Sequence, residues 1–336
     1  MDRDLNEMQF LGFLGVYRET SKIILKWTKI FSQITLTLVL PFCAIFLAHS
    51  LVSQLLSFKI VDHEITRRDT WIDDPEYGNL SSKLQKEWVA FWLARLGYLI
   101  FIFIFRLLST AAVVYTVARV YAAKQITFKK IMSVVPRVWK RLMVTFFWCF
   151  ALFLVYNVVA VGLLIVWLVI VRQVSVGLAL GIAVAVILLI LYVIGFVYIT
   201  MIWRLASVIS VLEDAYGRKA MAKSKGLMKG KMGLSVWCFL CVLVFSVLVQ
   251  ALFELLVVWD LFSIAVRIGV GLVCLLLLSM LVLFDLVMQT VIYFVCKSHH
   301  HENIDSSCLS DHLEVRPGED CPSEGPKAVQ HEQLPV

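Results

Sequence analysis

The sequence predicts an all-α fold: a polytopic membrane helix bundle with six transmembrane helices and amphipathic helices on its cytoplasmic side. Three observations predict it. Hydrophobic residues make up 60% of the 336, against about 45–50% in soluble domains even when Gly is counted. They gather into long uncharged runs at Ile30–Phe58, Leu142–Val171, Gln173–Trp203 and Met232–Phe253, each longer than the roughly 20 residues that cross a hydrocarbon core about 30 Å thick. The runs also lack the apolar/polar alternation of a membrane β-barrel. A continuous helix satisfies its own backbone, so helices are the form expected in lipid.

Two further spans tolerate one charge each, Trp92–Ala118 around Arg106 and Ile268–Cys296 around Asp285. The chain therefore divides into an amphipathic N-terminal segment (1–29), a six-helix domain (30–296) and an acidic tail (297–336). The six spans are expected near 30–58, 92–118, 142–171, 173–203, 232–253 and 268–296. Residues 1–29 mix acids with bases, and the first apolar run is too long for a signal-peptide core, so it reads as a retained anchor. The tail is rich in acids, with Pro and Gly near its end, and reads as disordered.

Orientation follows from Lys and Arg. Five lie in the N-terminal segment, seven in residues 119–141 without any acid, and seven in residues 204–231 beside only Glu213 and Asp214. Those three segments share one side if all six helices span. The opposite side carries 59–87, where seven acids exceed five bases. The positive-inside rule then puts both termini in the cytoplasm of an endomembrane or the plasma membrane. Asn79-Leu80-Ser81 is a glycosylation sequon on the expected outer side.

The basic connectors are patterned. Ala220, Met221, Ser224, Leu227 and Met228 share one helical face, while Arg218, Lys219, Lys223, Lys225 and Lys229 take the other. Such a helix is expected to lie in the interface, its apolar face among acyl chains and its cations over anionic headgroups. In 128–142, Phe128, Ile131, Met132, Val135, Trp139 and Leu142 oppose Lys129, Lys130, Arg137, Lys140 and Arg141, with Pro136 expected to kink the segment. At an offset of 89 the two stretches look like copies of a parallel repeat, Lys129-Lys130-Ile131-Met132 against Arg218-Lys219-Ala220-Met221 and Trp148-Cys149-Phe150 against Trp237-Cys238-Phe239. Arg18, Lys22, Lys26 and Lys29 form a similar stripe leading into the first span. No aromatic platform accompanies these cations, so the expected partner is a bilayer with anionic headgroups rather than nucleic acid.

Inside the spans, Arg106 and Asp285 fall about 17 Å from the expected inner helix ends, near the midplane. An Arg or Asp at that depth costs about 2.5–3.5 kcal/mol on insertion scales, so each needs a partner or water. An Arg106–Asp285 pair with Asn157 as an added hydrogen-bond partner is expected, either as a lock between helices or as a polar pathway. Cys296, at the end of an apolar helix beside Lys297, is a palmitoylation candidate. Cys238-Phe239-Leu240-Cys241 reads as packing rather than redox chemistry, and the His299-His300-His301 run fits no structural zinc spacing. No catalytic residues, metal site or cofactor are expected.

Residues 9–53, with "MSVVPRVWKRLMVTF" and "MIWRLASVISVLEDAYGRKAMAKSKGLMKGK" further on, resemble a plant family of uncharacterised six-span integral membrane proteins. Glu213, Gly217, Ala220, Ser224, Leu227 and Gly230 are more loosely similar to a pattern in the bacterial glycerophosphoryl diester phosphodiesterase membrane domain. The resemblance implies a six-helix membrane fold and no hydrolase activity. Three functions suit these features: a non-enzymatic protein that binds anionic lipid and organises the membrane, a transporter or channel with a polar site at mid-membrane, or a scaffold recruiting cytosolic proteins.

Overall fold

A computed structural model describes residues 10–69, 75–122, 127–174, 177–259 and 262–300. Its described residues form helices and short connections, with no strand among them. The helices are α1 (Phe13–Lys26), α2 (Thr28–Ile34), α3 (Leu40–Asp69), α4 (Pro75–Tyr121), α5 (Phe128–Val174), α6 (Leu178–Leu212), α7 (Arg218–Leu227), α8 (Met232–Phe253) and α9 (Ile264–His299). Six helical stretches are long and apolar enough to cross a membrane: Thr28–Thr66, Ser81–Tyr121, Val138–Gln173, Ala179–Leu212, Met232–Val258 and Ile264–His299. The fold is an all-α polytopic bundle.

Several helices outrun the apolar segments that announce them. Residues 59–69 and 75–87, expected to be mostly connector, continue α3 and α4. Outside lipid a helix still satisfies its backbone, and these extensions hold each other: His63 Nδ1 lies 2.7 Å from Glu87 Oε2. Pro136 does not end its helix, as α5 runs through it. The proline loses the bond to the carbonyl four residues earlier and presses its ring on that carbonyl, a cost of about 3 kcal/mol, while Ile131, Val135 and Leu142 are buried and pin both flanks. At Pro41 the helix adjusts instead, with a π-helical turn at Thr35–Val39 just upstream.

Burial is concentrated at one end. Ala111–Ala118 of α4, Leu205–Leu212 of α6 and Leu283–Cys296 of α9 contribute most of the larger of two cores, and a smaller one joins Cys43 and Leu47 to Phe253, Cys274 and Leu278. Ala111, Ala112 and Ala118 are small enough to let α4 approach its neighbours closely. The most apolar stretches of α5 and α6 contain no buried residue, and this hairpin faces lipid along most of its length. A polar lock holds it together. Tyr156 donates to the Tyr192 carbonyl (2.8 Å), and Tyr192 donates to Asn157 Oδ1 (3.0 Å). Asn157 therefore serves the α5–α6 hairpin, not the Asp285 site expected for it.

The amphipathic helices are docked rather than afloat. Val16, Thr20 and Ile23 of α1 are buried, and the Tyr17 ring lies 5.4 Å from Phe284 of α9. The apolar face of α7, expected among acyl chains, is taken by the bundle: Ala220, Ser224 and Leu227 are buried, and Ser224 donates to the Ile202 carbonyl (2.9 Å). The two copies of the basic segment differ here. The first runs continuously into α5, whereas the second breaks between α7 and α8, where Gly230 has φ 90°.

Gly217 has φ 60° and ψ −128°, a conformation essentially reserved for glycine. Its N–H donates to Thr145 Oγ1 (2.8 Å), and an added Cβ would meet the Trp148 ring at 3.0 Å. Gly217→Ala is expected to lower stability by about 1–3 kcal/mol, measured by thermal unfolding in detergent. Gly226→Ala, inside α7 with nothing within 4 Å of the added carbon, is expected to be neutral or stabilising by up to about 1 kcal/mol.

Candidate functional site

Two polar layers occupy the bundle. The deeper one centres on Asp285, whose carboxylate is held by Arg204, a residue the sequence assigns to the basic connector. The two guanidinium nitrogens of Arg204 reach both oxygens, Nη1 to Oδ2 at 3.0 Å and Nη2 to Oδ1 at 2.5 Å. This fork is the strong geometry for an Arg–carboxylate pair. The Arg204 guanidinium also lies 4.9 Å from the centre of the Phe239 ring, and its backbone carbonyl accepts a hydrogen bond from Gln289. Arg106 stands second, with Nη2 at 3.9 Å from Asp285 Oδ2, too far for a hydrogen bond. The expected Arg106–Asp285 pair is present as an ion contact, but Arg204 holds the hydrogen bonds.

Leu205–Leu212 continues the apolar pattern past Arg204, which places it inside α6. Depth is also revised. Tyr293 donates to Glu213 Oε1 (2.6 Å) and so fixes the level of α9 against the end of α6. Asp285 lies eight residues, or about 12 Å, from that level, and Arg204 nine residues, or about 13 Å. The cluster thus lies a few Å to the basic side of the midplane of a core about 30 Å thick.

A cavity of about 200 Å³ adjoins it, lined by Arg106, Arg204, Asp285 and Ser246 and by the rings of Phe42, Phe46 and Phe239. The side chains of Arg204 and Asp285 are 15% and 11% exposed, while that of Arg106 is 35% exposed. Arg204 and Asp285 are spent on each other, and Arg106 faces the cavity.

The shallower layer gathers around Glu213. Lys223 Nζ lies 2.8 Å from Oε2, Lys297 Nζ lies 3.3 Å from Oε1, and Tyr293 donates to the same oxygen. Burial pushes the carboxyl up, but the hydrogen bonds from Lys223 and Tyr293, with the charges of Lys297 and Lys223, outweigh it and hold it below the ordinary carboxylate range. Asp214 pairs with Arg141. His300 Nε2 lies 3.1 Å from the Leu227 and Lys229 carbonyls and so caps α7. Apart from the Glu213–Lys223 pair, ten positions apart, nothing in the local sequence announces these contacts, because they join residues about 70 to 85 positions apart.

Among the predicted headgroup contacts, Lys129, Lys130, Lys140, Arg141, Arg218, Lys219, Lys225 and Lys229 are exposed at this end, and Lys223 is half-buried in the Glu213 cluster. The side chains of Arg137 and Asn79, Asp260 and the tail beyond His300 lie outside the described residues. Cys296 is fully buried, so the fold withholds the thiol that the sequence offered for palmitoylation. Among the described residues no group of three or more His, Cys, Asp or Glu side chains could hold a metal.

A family model described as "Domain of unknown function (DUF8558)" matches residues 1–334. The chain belongs to this family. No curated protein and no solved structure matched the chain.

Asp285→Asn is expected to cost about 3–5 kcal/mol, because it leaves two buried cations without a counter-charge. Arg204→Met with Asp285→Leu should recover most of that loss. Arg106→Met with Asp285→Leu should recover less, since it strands Arg204 without its fork partner. Chemical denaturation of the three variants checks the order. The Glu213 cluster gives a pH dependence: its stabilisation is present above the ordinary carboxyl value, about 4.3, and is lost as pH falls through the lower folded value. The melting temperature of the wild type should therefore drop below about pH 4, with a smaller drop in Glu213→Gln.

Proposed function

We propose that this is a non-enzymatic multi-pass membrane protein that binds anionic lipid at its basic end and organises the bilayer around it. One observation carries the reading. The apolar face of α7 is covered by the bundle, which leaves Arg218, Lys219, Lys225 and Lys229 exposed together. Arg218, Lys219 and Lys225 stand on α7 and Lys229 on the turn that follows it, so their backbone is already ordered before any contact with headgroups. Each cation near an anionic surface contributes about 1 kcal/mol. Lys129, Lys130 and Lys140 extend the same exposed basic end.

The excess of Lys and Arg at this end supports a cytoplasmic placement of it. The likeness to plant six-span membrane proteins supports an endomembrane or plasma-membrane home. Protein reconstituted in nanodiscs of mixed phosphatidylserine and phosphatidylcholine should retain the anionic lipid preferentially, read by native mass spectrometry, and salt should weaken the preference. Replacing Arg218, Lys219, Lys225 and Lys229 with Gln should reduce it by about tenfold or more. Equal retention of both lipids at low salt would remove the proposal.

A further inference from the structure

A second site lies inside the bundle, independent of the basic end. We propose that the cavity beside Arg106 binds the monoanionic headgroup of a lipid-borne ligand, a carboxylate or a phosphodiester carried on a hydrocarbon chain.

The charge balance comes first. Arg106, Arg204 and Asp285 leave one positive charge over. Asp285 places both oxygens in the fork of Arg204, and Arg106 at 3.9 Å receives no hydrogen bond from it. Among the described residues Asp285 is the one carboxylate Arg106 meets. The Phe42 ring lies 6.0 Å from its guanidinium carbon, Cys43 and Arg204 are also close, and the group lines the cavity. Arg106, half-buried in the bundle, must share the single charge of Asp285 with Arg204, and an excess cation in an apolar span is costly. A bound monoanion brings the cluster to neutrality, whereas a dianion such as a phosphomonoester would leave it negative.

The shape of the site gives the rest of the ligand. Apart from the three charged residues and Ser246, the cavity wall is phenyl and aliphatic. Its volume of about 200 Å³ holds a headgroup and the first part of a chain but not a whole lipid. Leu243, on the rim of the cavity and in the middle of α8, is 41% exposed, so the opening is lateral, on the surface that the bilayer covers. A small water-soluble anion would have to cross hydrocarbon to arrive there. An amphiphile already dissolved in the bilayer would not.

The test uses the full chain in phosphatidylcholine nanodiscs, with oleate, phosphatidylglycerol or acetate added, read by melting temperature and by native mass spectrometry. Oleate or phosphatidylglycerol should raise the melting temperature of the wild type, and one of them should bind at one per chain once the cations of the basic end are removed. Whichever does so identifies the headgroup as carboxylate or phosphodiester. Arg106→Met should weaken that binding at least about tenfold, as loss of the counter-charge requires, without lowering the melting temperature of the unliganded protein. Arg106→Lys, which keeps the charge, should retain binding. Replacing Arg218, Lys219, Lys225 and Lys229 with Gln should leave the single bound ligand in place, which separates this site from the lipid surface of the basic end. Four results would each overturn the proposal. Neither amphiphile binds; acetate binds as tightly as oleate; Arg106→Met binds as the wild type does; or Arg106→Lys folds and binds nothing.

Discussion

The forked ion pair between Arg204 on α6 and Asp285 on α9 is the constraint around which the bundle is arranged. In hydrocarbon neither group can find water, so each must be satisfied by the other in a fixed geometry. Fixing Arg204 against Asp285 fixes the rotation and height of two helices. The next turns toward the basic end then follow. Gln289 reaches the Arg204 carbonyl, Tyr293 reaches Glu213, and Lys297 completes the cluster. All four residues of α9 lie at intervals of four, on one helical stripe, so one face of α9 reads as a continuous polar seam against α6.

That seam explains why the core is lopsided. Around it, α4, α6 and α9 bury nearly every side chain, and α1 and α7 close over the same end. Away from it packing is sparser, a smaller core joining Val39, Cys43 and Leu47 to Phe253, Val257, Cys274 and Leu278, because lipid tails are as apolar as leucine and leave no hydrophobic drive between helices. The α5–α6 hairpin accordingly stands in lipid and keeps its register by the Tyr156–Tyr192–Asn157 contacts. The protein thus has a rigid basic half and a more lipid-exposed far half. Both proposed lipid contacts belong to the rigid half, where charges are held in place before any ligand arrives.

The segment Glu213–Gly230 shows how a pattern can be right in its residues and wrong in its setting. Its amphipathic face is real, and Arg218, Lys219, Lys225 and Lys229 are exposed while Lys223 turns in to Glu213. Its apolar face, however, meets α6 and not acyl chains, because Gly217 turns the chain back across the bundle end and Glu213 ties that turn to α9. Hydrophobic periodicity reports that a face will be buried. It does not report by what.

The sequence alone determined the helical class, the number of spans and the collection of basic residues at one end, because backbone satisfaction in lipid leaves a long apolar run few alternatives. It also marked Arg106 and Asp285 as groups in need of partners, since their cost depends only on being within an apolar run. Which partner each one found was decided by tertiary structure. Arg204 stands 81 residues from Asp285, Asn157 was drawn off to Tyr192, and Cys296 was turned into the core. Those outcomes depend on the rotation of one helix against another, and a charge far along the chain gives no local signal of the angle from which it will arrive.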